Sequence, residues 1–290
     1  MINVLSRWTT LHPQSSNFHM TKNIPLILAL VCLSGLSPCA GQTVPESIDL
    51  SKFPGAEVED VVVPVPSEIF NVLDKLGSPN WRSELRDSLG KNTGNRAQVA
   101  LLLGTVIAEG FIAVEAEDSG KVQEIGREVL VLAEAINVRK AVIARSKSIT
   151  EKADAKEWKA VRKEFDGALN DVRGAMEELG DDELAQLVSI GGWLRGTEVL
   201  TSIVSKNYTP DGAELLYQPQ LIDYFNRKLD SLKNTRLGKD DLVVKIRKTL
   251  AAIRPLIGKD DGTKISPDAV ERINKMTGET VAAITSRKES

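Results

Sequence analysis

Two apolar segments of the chain contain isolated charged residues that could take part in chemistry. Segment 97–114, AQVALLLGTVIAEGFIAV, has Glu109 as its one charge, and segment 187–204, LVSIGGWLRGTEVLTSIV, has only Arg195 and Glu198. A helix that is apolar on every side is buried on every side, so these charges should lie at the centre of the domain. A carboxylate and a guanidinium in such a place could bind a polar ligand or transfer protons.

Small residues predict that the two segments pack side by side as helices. Small residues four apart line one side of a helix and allow two backbones to approach closely. The residues at this spacing are Gly104 and Ala108 in the first segment and Gly192 and Gly196 in the second. When Gly110 is aligned with Gly196, Glu109 falls opposite Arg195. The two charged side chains are therefore expected to be partners.

The predicted pair has two interpretations. In the structural one, two buried charges neutralise each other and fix the helix register, because an unpaired buried charge costs several kcal/mol. In the functional one, Glu109, Arg195 and Trp193 line a polar cavity that holds a ligand.

Residues 1–41 are expected to be a signal peptide with its start at Met20. They contain no acidic residue, an apolar run at 24–36 and small residues at 39–41. The run of 13 residues is shorter than the roughly 20 that a membrane-spanning helix needs. Lipidation at Cys39 is a less favoured alternative, because Pro38 precedes that cysteine. The mature chain is thus expected to be exported, without an integral membrane span.

Removal of this segment excludes several chemistries, because it contains both cysteines and both histidines. A chain without them cannot form disulfides, a Ser-His-Asp triad, a Cys/His metal site or histidine-ligated haem. We therefore expect no cofactor and no metal site. The full chain has 37 basic and 40 acidic residues, and without Arg7 and Lys22 the balance is −5. That charge gives no reason to expect a nucleic-acid partner.

The elements that must position these residues are predicted to be helices. Residues 42–66 contain four prolines and are expected to form an extended arm, in which 61–65 could be a strand without a partner. Residues 67–290 are expected to form one all-α domain, a bundle of about eight to ten helices. The predicted helices span 67–76, 80–89, 95–117, 121–137, 139–152, 155–179, 181–206, a short helix before 217, 220–234, 239–257 and 267–287. Similar patterns in 67–180 and 181–290 suggest an internal duplication.

The sequence favours an exported binding, interaction or structural module over an enzyme. Its partner is expected to be a protein or a small molecule. Tyr208, Tyr217 and Tyr224 fall in one segment and form a candidate binding surface, because tyrosine combines a large contact area with a polar tip. The alternative is a small-molecule-binding protein, or an exported enzyme that uses carboxylate, Arg and Lys groups around Glu109 and Arg195.

Overall fold

Helical segments with well-defined ends make up most of the chain in the computed structural model, which describes residues 56–58, 61–63, 66–90, 95–258 and 263–286. The α-helices are α1 (Pro66–Asp74), α2 (Arg96–Glu115), α3 (Ser119–Ala135), α4 (Arg139–Asp154), α5 (Trp158–Glu178), α6 (Asp182–Lys206), α7 (Pro210–Glu214), α8 (Pro219–Leu232), α9 (Asp241–Ile253) and α10 (Pro267–Thr285). Short 3₁₀ helices span Trp81–Glu84 and Arg254–Leu256. The fold is an all-α multi-helix bundle, as predicted. The predicted signal peptide lies outside the described residues.

Side-chain caps explain where several helices begin. The Asn95 side chain accepts from the backbone N–H of Ala97 at 2.9 Å, which satisfies one of the free donors of the first turn of α2. Asp118, Thr209, Asp240 and Ser266 have the same role at the starts of α3, α7, α9 and α10. Polar residues before apolar periodic stretches thus set the helix starts, which is why the sequence could predict them.

Two predicted features of the N-terminal region are wrong. The helix expected at 80–89 is reduced to a single 3₁₀ turn, Trp81–Glu84, followed by irregular backbone. The strand expected to lack a partner has one, because Val61–Val63 (β2) pairs antiparallel with Ala56–Val58 (β1), and Ala56 lies opposite Val63. The charge cluster described below explains the missing helix.

The central layer consists of α2 and α6, which pack against each other along their lengths. Within 97–114 of α2, Ile107 is the one residue that is not buried. α3 packs on α2, and α3, α4 and α5 follow as successive helical hairpins. α10 packs on α6 and on α9, α9 packs on α8, and α1 rests on α5. Apart from their contact with each other, α2 packs mainly on α3, whereas α6 packs mainly on α10. The suggested duplication stays a prediction.

α2 also has the length and composition of a membrane-spanning helix. No other helix in the described part of the chain passes that test, and 94% of the apolar window in α2 is buried inside the protein. Burial between α3 and α6 therefore accounts for its composition.

Candidate functional site

α2 and α6 run in the same direction where they cross. The Thr105 hydroxyl meets the Gly191 carbonyl at 3.4 Å, and Glu109 meets Arg195 one turn later. Both contacts join residues 86 positions apart, so the paired positions advance together along the two helices. The predicted alignment of Gly110 with Gly196 has this same offset.

The close approach uses Gly104, which was predicted, together with Gly191, which was not. A Cβ atom on Gly104 would lie 1.8 Å from the carbonyl oxygen of Val188, and one on Gly191 would lie 2.1 Å from that of Leu101. The two backbones therefore touch at Gly104 and Gly191, where no larger residue fits.

Of the other predicted packing residues, Gly192 also lies at the crossing, since its backbone nitrogen would be 2.8 Å from a Cβ on Gly104. A Cβ on Gly192 would be 3.4 Å from the Gly104 carbonyl oxygen, an ordinary contact distance, and Ala108 is buried. Gly110 faces the Phe165 ring of α5. Gly196 is exposed, and among the described residues no neighbouring element would lie within 4 Å of a Cβ on it, so the prediction that it packs against α2 is wrong. Arg195 faces α2, and Gly196 is the next residue. Because one residue along an α-helix turns the side-chain direction by about 100°, Gly196 is turned away from α2.

Glu109 and Arg195 are in direct contact at the centre of the molecule. The guanidinium Nε of Arg195 donates to Glu109 Oε2 at 2.7 Å, and the two side chains are 4% and 1% exposed. Arg195 Nη1 donates to Glu198 Oε2 at 2.9 Å, and Arg86 Nη2 donates to Glu198 Oε1 at 2.7 Å. Arg86, Glu109, Arg195 and Glu198, here called the central charge cluster, carry alternating charges that sum to zero.

The end of the 3₁₀ turn and the irregular segment after it complete the hydrogen bonding of this cluster. The backbone N–H of Arg86 donates to the second carboxylate oxygen of Glu109, and Arg195 Nη2 donates to the backbone carbonyl of Glu84. Glu109 thus uses both oxygens, and Arg195 uses all three guanidinium nitrogens, within the protein. Within the described residues, Arg86 Nε is the one nitrogen of the cluster that is buried without a partner.

Trp193 does not join the cluster. Its indole N–H donates to Gln218 Oε1 at 3.0 Å, and its ring meets Phe225 of α8 edge-on at 6.1 Å. Two residues along a helix correspond to a rotation of about 200°, so Trp193 and Arg195 point in nearly opposite directions. The hypothesis of a cavity lined by Glu109, Arg195 and Trp193 is therefore wrong for Trp193.

The three tyrosine side chains contact different parts of the bundle. Tyr224 is 1% exposed and donates to Gln186 Oε1 at 3.0 Å. The Tyr208 hydroxyl donates to the Ile265 carbonyl at 2.8 Å, and the half-buried Tyr217 packs its ring against Gly258. The prediction of one tyrosine binding surface is wrong for Tyr224, because its ring is buried.

Sequence reasoning missed Arg86 and the backbone of Glu84 as members of the site. Nothing local marks them, because the segment around them has the spacing of an ordinary helix. Glu198 was visible as the second charge of its apolar segment, three residues after Arg195, where helix neighbours meet.

Among the residues that the structure describes, no group of three or more His, Cys, Asp or Glu side chains is placed to hold a metal ion. Comparison of the chain with protein families, with curated proteins and with solved structures finds no match.

Proposed function

We propose that the protein is an exported helical module that acts by binding a partner protein and not by catalysis. The observation that carries the proposal is that both carboxylate oxygens of Glu109 and all three guanidinium nitrogens of Arg195 are already bonded to the protein's own groups. A catalytic acid or base must reach a substrate proton, and a ligand-binding charge must have an unused donor or acceptor. Each nitrogen of the Arg195 guanidinium and each carboxylate oxygen of Glu109 already has a partner inside the protein, so the two side chains are better suited to hold the helices together than to do chemistry.

A groove between α9 and α10 is the place we propose for the partner. It has a volume of about 370 Å³, is open to solvent, and is lined by Asp241, Val244, Lys245, Lys248, Thr249, Ala252 and Met276. An open groove cannot surround most of a small ligand, as small-molecule sites do. It suits a helix of a partner protein, which needs an apolar floor along one side.

The rim of the groove favours an acidic partner. Lys245 donates to the backbone carbonyl of Glu279 at 3.1 Å, and within the described part of the chain neither Lys245 nor Lys248 is in an ion pair with a carboxylate. Met276 adds a flexible apolar contact of the kind common at binding surfaces. Positive rim charges around an apolar floor would select an acidic amphipathic helix and speed its encounter.

The test replaces both rim lysines and measures capture of a partner from the compartment to which the protein is exported. The Lys245→Glu/Lys248→Glu protein should lose at least tenfold in capture, since charge reversal repels an acidic helix. Lys233→Glu/Lys239→Glu is the matched control, because both lysines are exposed and lie outside the groove. Equal capture by the two variants would place the interface elsewhere.

The alternative function, catalysis, predicts a different experimental result. A turnover reaction of the purified protein that disappears in Glu109→Gln, while that variant keeps its helical content, would contradict the binding proposal.

A further inference from the structure

Arg162 of α5 joins the ends of two other helices. Its Nη1 is 2.9 Å from Asp74 Oδ2, and its Nη2 is 3.2 Å from Asp74 Oδ1 and 2.5 Å from Glu115 Oε1. Asp74 is the last residue of α1, and Glu115 is the last residue of α2. One nitrogen, Nη2, therefore donates to both carboxylates, which places the two acids close to each other.

Aromatic contacts also attach α1 near Arg162, at a place here called the Arg162 corner. The guanidinium of Arg162 lies 4.8 Å above the ring of Phe70, which is 2% exposed. Phe70 meets the rings of Phe111 and Phe165 edge-on at 5.0 and 6.1 Å. The attachment of α1 thus combines a buried aromatic contact with the ion pairs of Arg162.

The charges at this corner do not balance. Two further acids, Asp74 and Glu117, are close enough to Glu115 for their charges to raise its pKa, whereas among the described residues Arg162 is the one base whose charge lowers it. The neighbouring charged groups of α3 and its cap are engaged elsewhere, since Lys121 binds Glu124 at 3.0 Å and Asp118 binds Arg82 at 2.9 Å. Asp74 and Glu115 also sit at helix C-termini, where the helix dipole disfavours negative charge.

Burial raises the pKa of Glu115 into the neutral range. The Glu115 side chain is 7% exposed, and burial raises its pKa to about 7. The positive charge of Arg162 lowers this pKa, whereas the negative charges of Asp74 and Glu117 raise it. Undocking of α1 would hydrate Glu115 and remove Asp74, so its pKa would return toward the ordinary 4.5.

The direction of the pH effect follows from this difference. The docked state binds the Glu115 proton more tightly than the undocked state. Its extra stability is fully present below the ordinary pKa of 4.5 and is lost as pH rises through about 7.

We propose that α1 is a pH-dependent latch, docked on α2 and α5 when Glu115 is protonated and loosened when Glu115 is ionised. Loosening would uncover the aromatic contact between Phe70, Phe111 and Phe165. This device is separate from the α9–α10 groove, so it stands or fails independently of the proposed function.

Hydrogen exchange of the α1 amides tests the latch. Exchange is measured at pH 5.5 and pH 8 at constant ionic strength and corrected for the intrinsic pH dependence of the chemistry. The opening equilibrium of α1 should increase by up to about 30-fold between these pH values. In Glu115→Gln this pH-dependent increase, here called the α1 step, should disappear, because the amide side chain cannot ionise.

A matched control and a direct titration complete the test. Asp223→Asn removes a carboxylate that binds Arg254 in the same two-bond geometry, at 2.8 and 3.0 Å, and it should leave the α1 step unchanged. If Glu115→Gln does not fold, the carboxyl carbon of Glu115 in the unaltered protein can be titrated by NMR. A midpoint near 7 supports the latch; a midpoint near 4.5, or an α1 step that persists in Glu115→Gln, overturns it.

Discussion

Glu109 and Arg195 are expected to contribute to stability as one unit. The test is a cycle of Glu109→Gln, Arg195→Met and the double variant. Arg195→Met leaves the Glu109 carboxylate, 1% exposed, with only the backbone N–H of Arg86 as a donor. Removal of one partner of a buried ion pair costs about 3–5 kcal/mol, mostly because the remaining charge is buried alone.

The double variant should cost far less than the sum of the single changes. It contains no uncompensated charge from the pair, and its remaining defects are lost hydrogen bonds at about 1–3 kcal/mol each. We therefore expect a coupling energy of at least about 2 kcal/mol between Glu109 and Arg195. Urea unfolding followed by circular dichroism gives the free energies, and an unchanged m-value would show that the comparison is valid.

The Asp223–Arg254 pair provides the control cycle. Its shortest contact is 2.8 Å, close to the 2.7 Å of the buried pair, but its side chains are 42% and 30% exposed. An exposed pair of this kind couples by about 0.2–1 kcal/mol. If the two cycles give equal coupling, burial does not control the strength of the central pair. Neutral or stabilising single changes would mean that the charges are kept for a purpose other than folding.

Two further predictions concern the helix crossing and export. Gly104→Ala should destabilise the protein by roughly 3 kcal/mol or more, because the new Cβ would lie 1.8 Å from the Val188 carbonyl oxygen and would push the helices apart. Gly196→Ala, with no atom within 4 Å, should instead raise the thermal midpoint, since alanine gains roughly 0.5–1 kcal/mol in a helix. Equal effects would contradict the observed crossing. Intact-mass measurement of exported protein should find a chain that begins near Gln42, whereas a lipid on Cys39 would disprove soluble release.

The helical architecture could be predicted because its signals are local. Apolar spacing identifies the buried faces, and residues such as Asn95 and Ser266 mark the starts of helices by capping them. The central position of α2 and α6 was predictable for a related reason, since a segment with almost no charged residue cannot face water on any side. The partnership of Glu109 and Arg195 then follows, because each helix offers few buried charges from which to choose.

The contact face of α6 could not be predicted from glycine spacing alone. Gly192 and Gly196 share one face of the helix, and Gly191 lies about 100° around the helix from Gly192, so the glycines offer two alternative faces. The structure uses Gly191, which lies four residues before Arg195 and so on the same side of the helix. The charged residue therefore identifies the inward face better than the glycines do, because a buried charge must point toward its partner.

The missing helix at 80–89 and the full use of Glu109 and Arg195 inside the protein have one cause. In a continuous helix the Arg86 N–H would bind the carbonyl of residue 82, and the Glu84 carbonyl would accept from residue 88. Those two backbone groups instead satisfy Glu109 and Arg195. In this segment, charge-assisted hydrogen bonds to Glu109 and Arg195 replace helical ones. Charge-assisted hydrogen bonds are about twice as strong as neutral ones. Because the chain itself supplies what a ligand would otherwise supply, the surface grooves are the better place to search for a partner.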